Sequence, residues 1–217
     1  MANKRVDEYG LSMQRFNDAL SYVAFGLIVG GRLGYMLIYD VSTVLKNPLA
    51  SFAVWQGGMS FHGGLVGGML ALYVYCVRNQ QCVYAWMQFC APLIPPGLGF
   101  GRLGNFINAE LWGRPTDADW GVVFPSVDAL PRHPSQLYEM LGEGVLLFYI
   151  LSLTHGHRNH TALKSRGIDA VTVFLLAYGG IRFVLEYYRE PDGHMGFIGF
   201  EIWTMGQLLS IAMMVVG

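Results

Sequence analysis

ALSYVAFGLIVGGRLGYMLIY (residues 19–39) carries one charged side chain, Arg32, and otherwise consists mainly of apolar and small residues. A transmembrane helix needs about 20 predominantly apolar residues, so this stretch predicts a membrane-spanning helix. Further apolar segments follow along the chain, at residues 59–77, 83–107, 137–153, 168–188 and 202–217. The sequence therefore predicts an all-α, polytopic membrane protein with about six transmembrane helices.

The overall composition agrees with a membrane location. Of the 217 residues, 53% are hydrophobic and 13% are charged, whereas an average soluble domain is about 25% charged. This excludes a disordered chain, a coiled coil and an ordinary soluble domain. The net charge of −1 gives the protein no strong positive potential that would attract nucleic acid, so no nucleic-acid partner is expected. The three cysteines have neither CxxC nor zinc-site spacing, so we interpret them as packing thiols and expect no metal.

The distribution of lysine and arginine predicts the orientation of the helices, because cytoplasmic loops carry an excess of positive charge. One set of loops holds seven such residues: Lys4, Arg5, Arg15, Arg78, Arg158, Lys164 and Arg166. The opposite set holds four: Lys46, Arg114, Arg132 and Arg189. We therefore expect the N-terminus and residues 155–166 in the cytoplasm, and residues 40–56, 112–132 and 189–200 outside.

The chain is expected to form a single membrane domain, residues 1–217, because the sequence contains no fixed-period repeat, low-complexity tract or linker. Its longest polar interruption begins at Trp112 and is rich in proline. We interpret residues 112–133 as a small folded cap on the extracytoplasmic face.

Arginines inside the apolar segments are the first candidates for function. Arg32, Arg102 and Arg182 all lie in such segments, where a central arginine costs at least about 2.5–3.5 kcal/mol and usually faces a polar cavity. The alternative is that they extend to the membrane interface. Glu186 and Arg189 follow Arg182 at i+4 and i+7, so we expect one helical face on which Glu186 orients both arginines.

The segment around Arg102 is typical of an anion site. Four glycines surround it in residues 97–104, and they allow either another helix to approach or a ligand to reach the backbone. Asn105 and Asn108 add amide donors. An arginine with amide and backbone donors favours a phosphate or carboxylate ligand.

Two histidines are further candidates. His62 has glycine pairs on both sides in GGMSFHGG (57–64), a pattern that predicts close approach of a ligand, although an interfacial hydrogen-bonding histidine is the alternative. His133 stands beside a predicted helix start in RHPSQLYE (132–139), where a capping position and a functional role are both open.

Other glycines predict helix packing. Gly26, Gly30 and Gly34 are spaced four apart, as are Gly64 and Gly68. This small-xxx-small pattern is typical of close helix contacts in membranes.

Five sequence blocks, in this order, resemble the bacterial prolipoprotein diacylglyceryl transferase family. They are GGRLGY (30–35), WQGGMSFHGG (55–64), GRLGNFINAELWG (101–113), RHPSQLYE (132–139) and RFVLEYYREPD (182–192). The resemblance implies a multi-pass enzyme of the bacterial cytoplasmic (inner) membrane that needs no cofactor. Such an enzyme moves the diacylglyceryl group of phosphatidylglycerol to the lipobox cysteine thiol of a prolipoprotein signal peptide, and it releases glycerol phosphate. Its expected partners are these two substrates and the membrane lipids.

The resemblance also implies roles for individual residues. Arg102 would bind the phosphatidylglycerol headgroup, and Arg182 would be a second essential arginine. Because a thiol of pKa about 8.5 needs a base or a nearby positive charge to ionise, we add the hypothesis that His62 is the base, with His133 as the second candidate. By the same resemblance, Asn105, Glu110 and Gly113 would shape the site, and Glu186 and Arg189 would support Arg182. Three more residues are our own candidates for substrate binding: His133, Arg32 and Tyr35.

Two alternatives remain open at this point. The family carries a transmembrane segment before the position of Met1, so we interpret the chain as lacking a first helix. A truncated lipid-binding remnant without turnover is therefore one alternative. An organic-anion transporter is the other, because intramembrane arginines beside glycine-rich helices also suit that class.

Overall fold

The computed structural model describes residues 12–38, 40–47, 53, 55, 57–155, 169–190 and 204–217. The α-helices are, in chain order, α1 (Met13–Ile38), α2 (Val41–Lys46), α3 (Phe61–Arg78), α4 (Val83–Cys90), α5 (Ile94–Ile107), α6 (Ser135–Glu139), α7 (Leu147–His155), α8 (Ala170–Leu185) and α9 (Met205–Val216). A 3₁₀ turn, Ala91–Leu93, joins α4 to α5, and a π-helical turn, Met140–Leu146, joins α6 to α7. Two short strands are β1 (Val122–Val123) and β2 (Pro131–Arg132).

The helices follow the predicted apolar segments, so the mainly helical class is confirmed. Among the described residues, α1 is the one helix both long and apolar enough to cross a membrane. Shorter apolar helices occupy Gly63–Arg78, Ala170–Leu185 and Gly206–Val216. The number of membrane crossings therefore stays a prediction.

The chain divides after Trp86 into two compact units, which are described separately. In the first unit, α1 packs against α3 through glycines. A Cβ on Gly30 would lie 2.7 Å from the Cα of Gly67, and one on Gly34 would lie 2.7 Å from the Cα of Gly63. Helix backbones can approach this closely only where side chains are absent.

The predicted packing role of the α1 glycines is confirmed, but the residues facing them on α3 differ from the prediction. Gly63 and Gly67 make the close contacts, whereas added Cβ atoms on Gly64 and Gly68 would meet Leu27 at 3.2–3.3 Å. One residue along a helix turns the side-chain direction by about 100°, so the neighbouring pair lies at the edge of the contact.

The second unit, from Met87 onward, is built around a small apolar core of Ala91, Leu147, Leu151 and Ala170. Asp169 caps the N-terminus of α8, where its Oδ1 accepts a hydrogen bond from the Thr172 backbone N–H at 2.9 Å. Close helix contacts again occur at glycines. A Cβ on Gly144 would lie 2.8 Å from the Cα of Gly99, so α5 lies directly against the π-helical turn.

The segment between α5 and α6 is folded. Strands β1 and β2 pair antiparallel, with Val122 opposite Arg132. Arg132 donates to Asp128 Oδ2 at 2.6 Å and to the Gly113 carbonyl at 3.0 Å. Phe124 is buried, and its ring forms a T-shaped contact with that of Phe106. The extracytoplasmic position of the cap, residues 112–133, and the single-domain interpretation of residues 1–217 stay predictions.

Candidate functional site

The second unit contains a buried cluster of six charged side chains, called here the Arg/Glu cluster. Its members are Arg102, Arg182, Arg189, Glu139, Glu143 and Glu186. The formal charges of three arginines and three glutamates cancel. A buried carboxylate loses its hydration, so each is stable only because guanidinium groups face it.

Glu139 and Glu143 form the centre of the cluster. Both side chains have 0% of their surface exposed. Glu139 ends α6, and Glu143 lies four residues later in the π-helical turn. Turns of this kind are rare and occur frequently at functional sites.

Arg102 projects from α5 onto both carboxylates. Its Nε lies 3.1 Å from Glu139 Oε2, and Nε and Nη2 each donate to Glu143 Oε2 at 3.1 Å. Its side chain is 17% exposed, and Nη1 has no hydrogen-bond or ion-pair partner among the residues that the structure describes. Within the described residues, both N–H groups of Nη1 therefore remain available to an incoming anion.

Arg182 reaches the same carboxylates from α8. Its Nη1 lies 2.5 Å from Glu139 Oε1 and 3.5 Å from Glu143 Oε1. Its Nη2 pairs with Glu186 Oε2 at 2.5 Å, as the i, i+4 spacing predicts. Glu186 is itself fixed, because its Oε1 accepts a hydrogen bond from Thr204 Oγ1 at 2.9 Å.

The prediction that Arg189 shares a helical face with Arg182 and Glu186 is wrong. Helix α8 ends at Leu185, and Arg189 pairs with Gly113 in an antiparallel bridge. Backbone pairing with the cap thus replaces the last helical turn. Arg189 still joins the cluster, with Nη1 at 3.7 Å from Glu139 Oε1.

Of the two roles predicted for the glycines around Arg102, close approach of another element is confirmed at Gly99, and access for a ligand stays a prediction. Gly99 lets α5 approach the π-helical turn, since its added Cβ would lie 3.3 Å from the Cα of Gly144. On Gly97, Gly101 or Gly104, an added Cβ would meet no described atom within 4 Å. At these three positions the backbone of α5 is not covered by the described residues.

A strained turn follows α5. Ala109 and Leu111 both adopt a left-handed φ of +53°, which non-glycine residues rarely do and which is common at functional sites. The residue between them, Glu110, accepts a hydrogen bond from Asn105 Nδ2 at 3.1 Å. Gln136 Nε2 holds the turn by donating to the Glu110 carbonyl at 2.7 Å. Asn105 and Glu110 therefore form a pair on the strained turn.

Gly113 and His133 lie at the base of the cap. A Cβ on Gly113 would lie 2.8 Å from the Cβ of His133 and from the Tyr188 carbonyl, so packing accounts for this glycine. The His133 Nδ1 lies 3.3 Å from the Tyr138 hydroxyl, and its ring contacts Tyr188 edge-on. Trp120 Nε1 donates to the same Tyr138 hydroxyl at 2.8 Å. His133 is thus part of a cluster of aromatic side chains that includes Tyr138 and Tyr188.

The remaining predicted site residues belong to the first unit. Arg32 is 6% exposed, and its Nη1 donates to the carbonyls of Gly57 at 2.5 Å and Gly58 at 3.2 Å. Gly58 has a φ of +74°, and an added Cβ would lie 2.5 Å from the Tyr35 ring. Arg32 and Tyr35 therefore fix the loop before α3. The His62 backbone lies in the first turn of α3, but its side chain is outside the described part of the structure.

The interpretation that all the glycines near His62 admit a ligand needs correction. Gly58 is required by the Tyr35 ring, and Gly63 by the contact with α1. Ser60 between them caps α3, where its Oγ accepts a hydrogen bond from the Gly63 backbone at 3.3 Å. Backbone packing therefore accounts for these positions.

Comparison with known proteins adds a separate observation. The family model described as prolipoprotein diacylglyceryl transferase matches residues 1–217, the whole chain. The chain belongs to this family. A relative from Oleidesulfovibrio alaskensis, named phosphatidylglycerol–prolipoprotein diacylglyceryl transferase, is 49% identical over 209 residues, which cover 96% of this chain and 76% of the relative.

Two further relatives with the same name support this assignment. The one from Pseudomonas savastanoi pv. phaseolicola is 47% identical over 223 residues, covering 100% of this chain and 80% of the relative. The one from Vibrio parahaemolyticus is 47% identical over 220 residues, covering 100% of this chain and 78% of the relative. As a member of the prolipoprotein diacylglyceryl transferase family, the chain is a transferase and a bacterial membrane protein.

For this diacylglyceryl transferase, sequence reasoning missed Glu143 and left Glu139 as part of a helix start. The signal was available, because the two acids stand four apart in an otherwise apolar segment and intramembrane charges usually pair. The described residues contain no group of three His, Cys, Asp or Glu that could hold a metal ion. The carboxylates of the cluster instead face arginines.

Proposed function

We propose that this transferase moves the diacylglyceryl group of phosphatidylglycerol to the lipobox cysteine of a prolipoprotein, and that Arg102 and Arg182 bind the phosphate during transfer. The observation that carries the proposal is the convergence of both guanidinium groups on Glu139 and Glu143. Two cations held this close together provide a site for a single phosphate group. The names of the relatives supply the two substrates.

The proposed reaction is a substitution at the glyceryl carbon that carries the phosphate ester. The cysteine thiol gives up its proton to a base, and its sulfur forms a bond to this carbon. The carbon–oxygen bond to the phosphate breaks, and glycerol phosphate leaves with the electron pair. The phosphate gains one negative charge as that bond breaks. Donors already aimed at this charge lower the barrier.

Arg102 is the arginine best placed to meet the headgroup. Its Nη1 has no partner among the described residues, and its side chain is the more exposed of the two. Arg182 is paired with three carboxylates. Its positive charge is proposed to add to that of Arg102 in attracting the phosphate.

The base is proposed to be His62, with His133 as the second candidate. A cysteine thiol has a pKa of about 8.5, so removal of its proton at neutral pH benefits from a base or a nearby positive charge. An imidazole is suited to this role because it titrates near neutrality. The contacts of His133 with Tyr138 and Tyr188 favour an orienting role for that residue.

Asn105, Glu110, Gly113, Arg189, Arg32 and Tyr35 are proposed to support substrate binding. For Arg32 and Tyr35 the support is indirect, because they fix the loop that leads into α3 and His62. Asn105 and Glu110 pair on the strained turn that follows α5.

The chain is further proposed to cross the bacterial inner membrane several times, with its N-terminal end in the cytoplasm and the cap outside. The excess of lysine and arginine on the cytoplasmic loops supports this orientation. Labelling of single cysteines by a membrane-impermeant maleimide tests it, in a protein whose native cysteines have been replaced. A cysteine at Asp119 should react in intact spheroplasts, and one at Ser12 should react only after lysis. The reverse pattern would contradict the orientation.

The transfer itself is tested in phosphatidylglycerol liposomes with a lipobox peptide as acceptor. Mass spectrometry should show a diacylglyceryl adduct on the peptide cysteine, and glycerol phosphate should appear in equal amount. A peptide with serine in place of the cysteine is the control. Lipid binding without an adduct would instead identify a remnant without turnover.

A further inference from the structure

Glu143 lies between the two arginines proposed to bind the phosphate. Its Oε2 accepts hydrogen bonds from Nε and Nη2 of Arg102 at 3.1 Å, and its Oε1 lies 3.5 Å from Nη1 of Arg182. These arginines come from different helices, α5 and α8. One carboxylate thus contacts both.

The geometry points to Glu143 as a positioning residue that fixes the separation and orientation of Arg102 and Arg182 without touching the substrate. This inference rests on the proposed binding of phosphate by those two arginines. Complete burial of the Glu143 side chain leaves no surface for a substrate to contact. Its effect on transfer is therefore exerted through the two guanidinium groups.

The backbone around Glu143 is itself held in place. The next residue, Gly144, lies so close to Gly99 that an added Cβ would approach the Gly99 Cα to 2.8 Å. Gly99 stands three residues before Arg102 on α5. The helix contact therefore sets the distance between the Arg102 backbone and the Glu143 carboxylate.

The three glutamates of the cluster differ in what they hold. Glu139 pairs with all three arginines, and Glu186 pairs with Arg182 and Thr204. Glu143 joins Arg102 to Arg182 and forms no ion pair with a third arginine in the described part of the chain. Among the three glutamates, substitution of Glu143 therefore changes the relative position of Arg102 and Arg182 most selectively.

Kinetics of a Glu143→Gln variant test the inference. Glutamine keeps the size of the side chain and removes its charge. We expect kcat for transfer to fall about 100-fold, because small misplacements of catalytic groups cost this much. The KM for phosphatidylglycerol should change by less than about threefold, since both cations remain and only transition-state stabilisation is lost. Glu143→Asp, which keeps the charge, should recover part of kcat.

Glu190→Gln is the matched control. Glu190 pairs with Arg132 in the cap at 3.4 Å, and its side chain is 43% exposed. The same chemical change at that position should leave both kinetic constants near their wild-type values.

A second measurement needs no turnover. Phenylglyoxal modifies arginine, and peptide mass spectrometry can follow its reaction with Arg102 in the unliganded protein. Loss of the Glu143 charge should free the Arg102 guanidinium and raise its rate of labelling severalfold. In the Glu190→Gln control, Arg102 should be labelled at the wild-type rate. Protection of wild-type Arg102 by glycerol phosphate reports separately on the proposed phosphate site. Absence of protection would count against that site, whatever Glu143→Gln does.

Two results would overturn the positioning role. One is a Glu143→Gln enzyme whose kcat and Arg102 labelling rate both equal those of the wild type. The other is a smaller yield of folded protein with unchanged kcat per folded molecule, which would mean that Glu143 contributes to stability alone.

Discussion

Arg102 and Glu143 are joined by two hydrogen bonds to a single oxygen: Nε and Nη2 of Arg102 both donate to Glu143 Oε2 at 3.1 Å. The contact leaves Nη1 of Arg102 without a partner among the described residues. Among the described residues, the guanidinium is held on one side and has no partner at Nη1, an arrangement that suits the binding of an anion without rearrangement. Such preorganisation is the main source of electrostatic catalysis.

The His62→Gln variant should lose transfer while it keeps bound phosphatidylglycerol. Glutamine can form hydrogen bonds but cannot accept the thiol proton, so deprotonation of the cysteine should become limiting. The adduct is measured by mass spectrometry, and retained lipid is measured by extraction from the purified protein. Full transfer activity in this variant would remove His62 from the mechanism.

The contact between Gly99 and Gly144 should be essential for stability. A Cβ on Gly144 would lie 2.8 Å from the Gly99 Cα, so Gly144→Ala forces α5 away from the π-helical turn. Overpacking of this kind typically costs about 1–3 kcal/mol. Thermal unfolding in detergent should show a lower midpoint for Gly144→Ala.

Gly97→Ala is the matched control for that experiment. No described atom lies within 4 Å of its added Cβ, and alanine favours a helix by about 0.5–1 kcal/mol over glycine. Its unfolding midpoint should equal or exceed that of the wild type. Equal thermal unfolding midpoints for Gly144→Ala and Gly97→Ala would contradict a close contact between Gly99 and Gly144.

The cap should lose stability in acid. The hydrogen bond from Arg132 lowers the pKa of Asp128 below its ordinary value of 3.8. A carboxyl group whose pKa is lower in the folded state stabilises that state above the pKa of the unfolded chain. This contribution is lost as the pH falls below about 4 and through the lowered pKa.

Limited proteolysis of the cap between pH 6 and pH 3 by an acid-tolerant protease measures this effect. Cleavage should accelerate in the acid range for the wild type, and Asp128→Asn should be cleaved faster already at pH 6. The exposed Asp119 provides the control, because Asp119→Asn removes no ion pair described for the cap. A pH profile for Asp128→Asn identical to that of the wild type would contradict this role of the carboxylate.

Arg32 should be important for the stability of the first unit. Its guanidinium donates to the carbonyls of Gly57 and Gly58, and a buried polar group without a partner costs about 1–3 kcal/mol. Arg32→Met should therefore lower the thermal unfolding midpoint, and Arg32→Lys should restore part of it. An unchanged midpoint in Arg32→Met would show that water or other donors satisfy these carbonyls.

Hydropathy located the helices well because burial in a membrane requires long apolar segments, and these are visible along the chain. The same reasoning placed Arg102 and Arg182 at the site, since an arginine in such a segment needs a partner. The partners were harder to find. Glu143 pairs with Arg102 and Arg182 through contacts between α5, α8 and the π-helical turn, and a single sequence does not show which acid faces which arginine.

Other features depend on tertiary contacts that one sequence does not display. The end of α8 at Leu185 follows from backbone pairing between Arg189 and Gly113, which are far apart in sequence. The glycine pattern near His62 also suits ligand access, but the Tyr35 ring occupies the space at Gly58, and α1 occupies that at Gly63. Local pattern alone could not distinguish packing from binding at these positions.

The rate of transfer by an Arg182→Lys variant tests the central claim most directly. Lysine keeps the positive charge but lacks the planar fork that contacts Glu139 and Glu186 together. With phosphatidylglycerol and a lipobox peptide as substrates, kcat/KM should fall by roughly 10²–10³-fold, while the same change at the exposed Arg78 leaves it unaltered. A folded Arg182→Lys enzyme with the kcat/KM of the wild type would contradict the account.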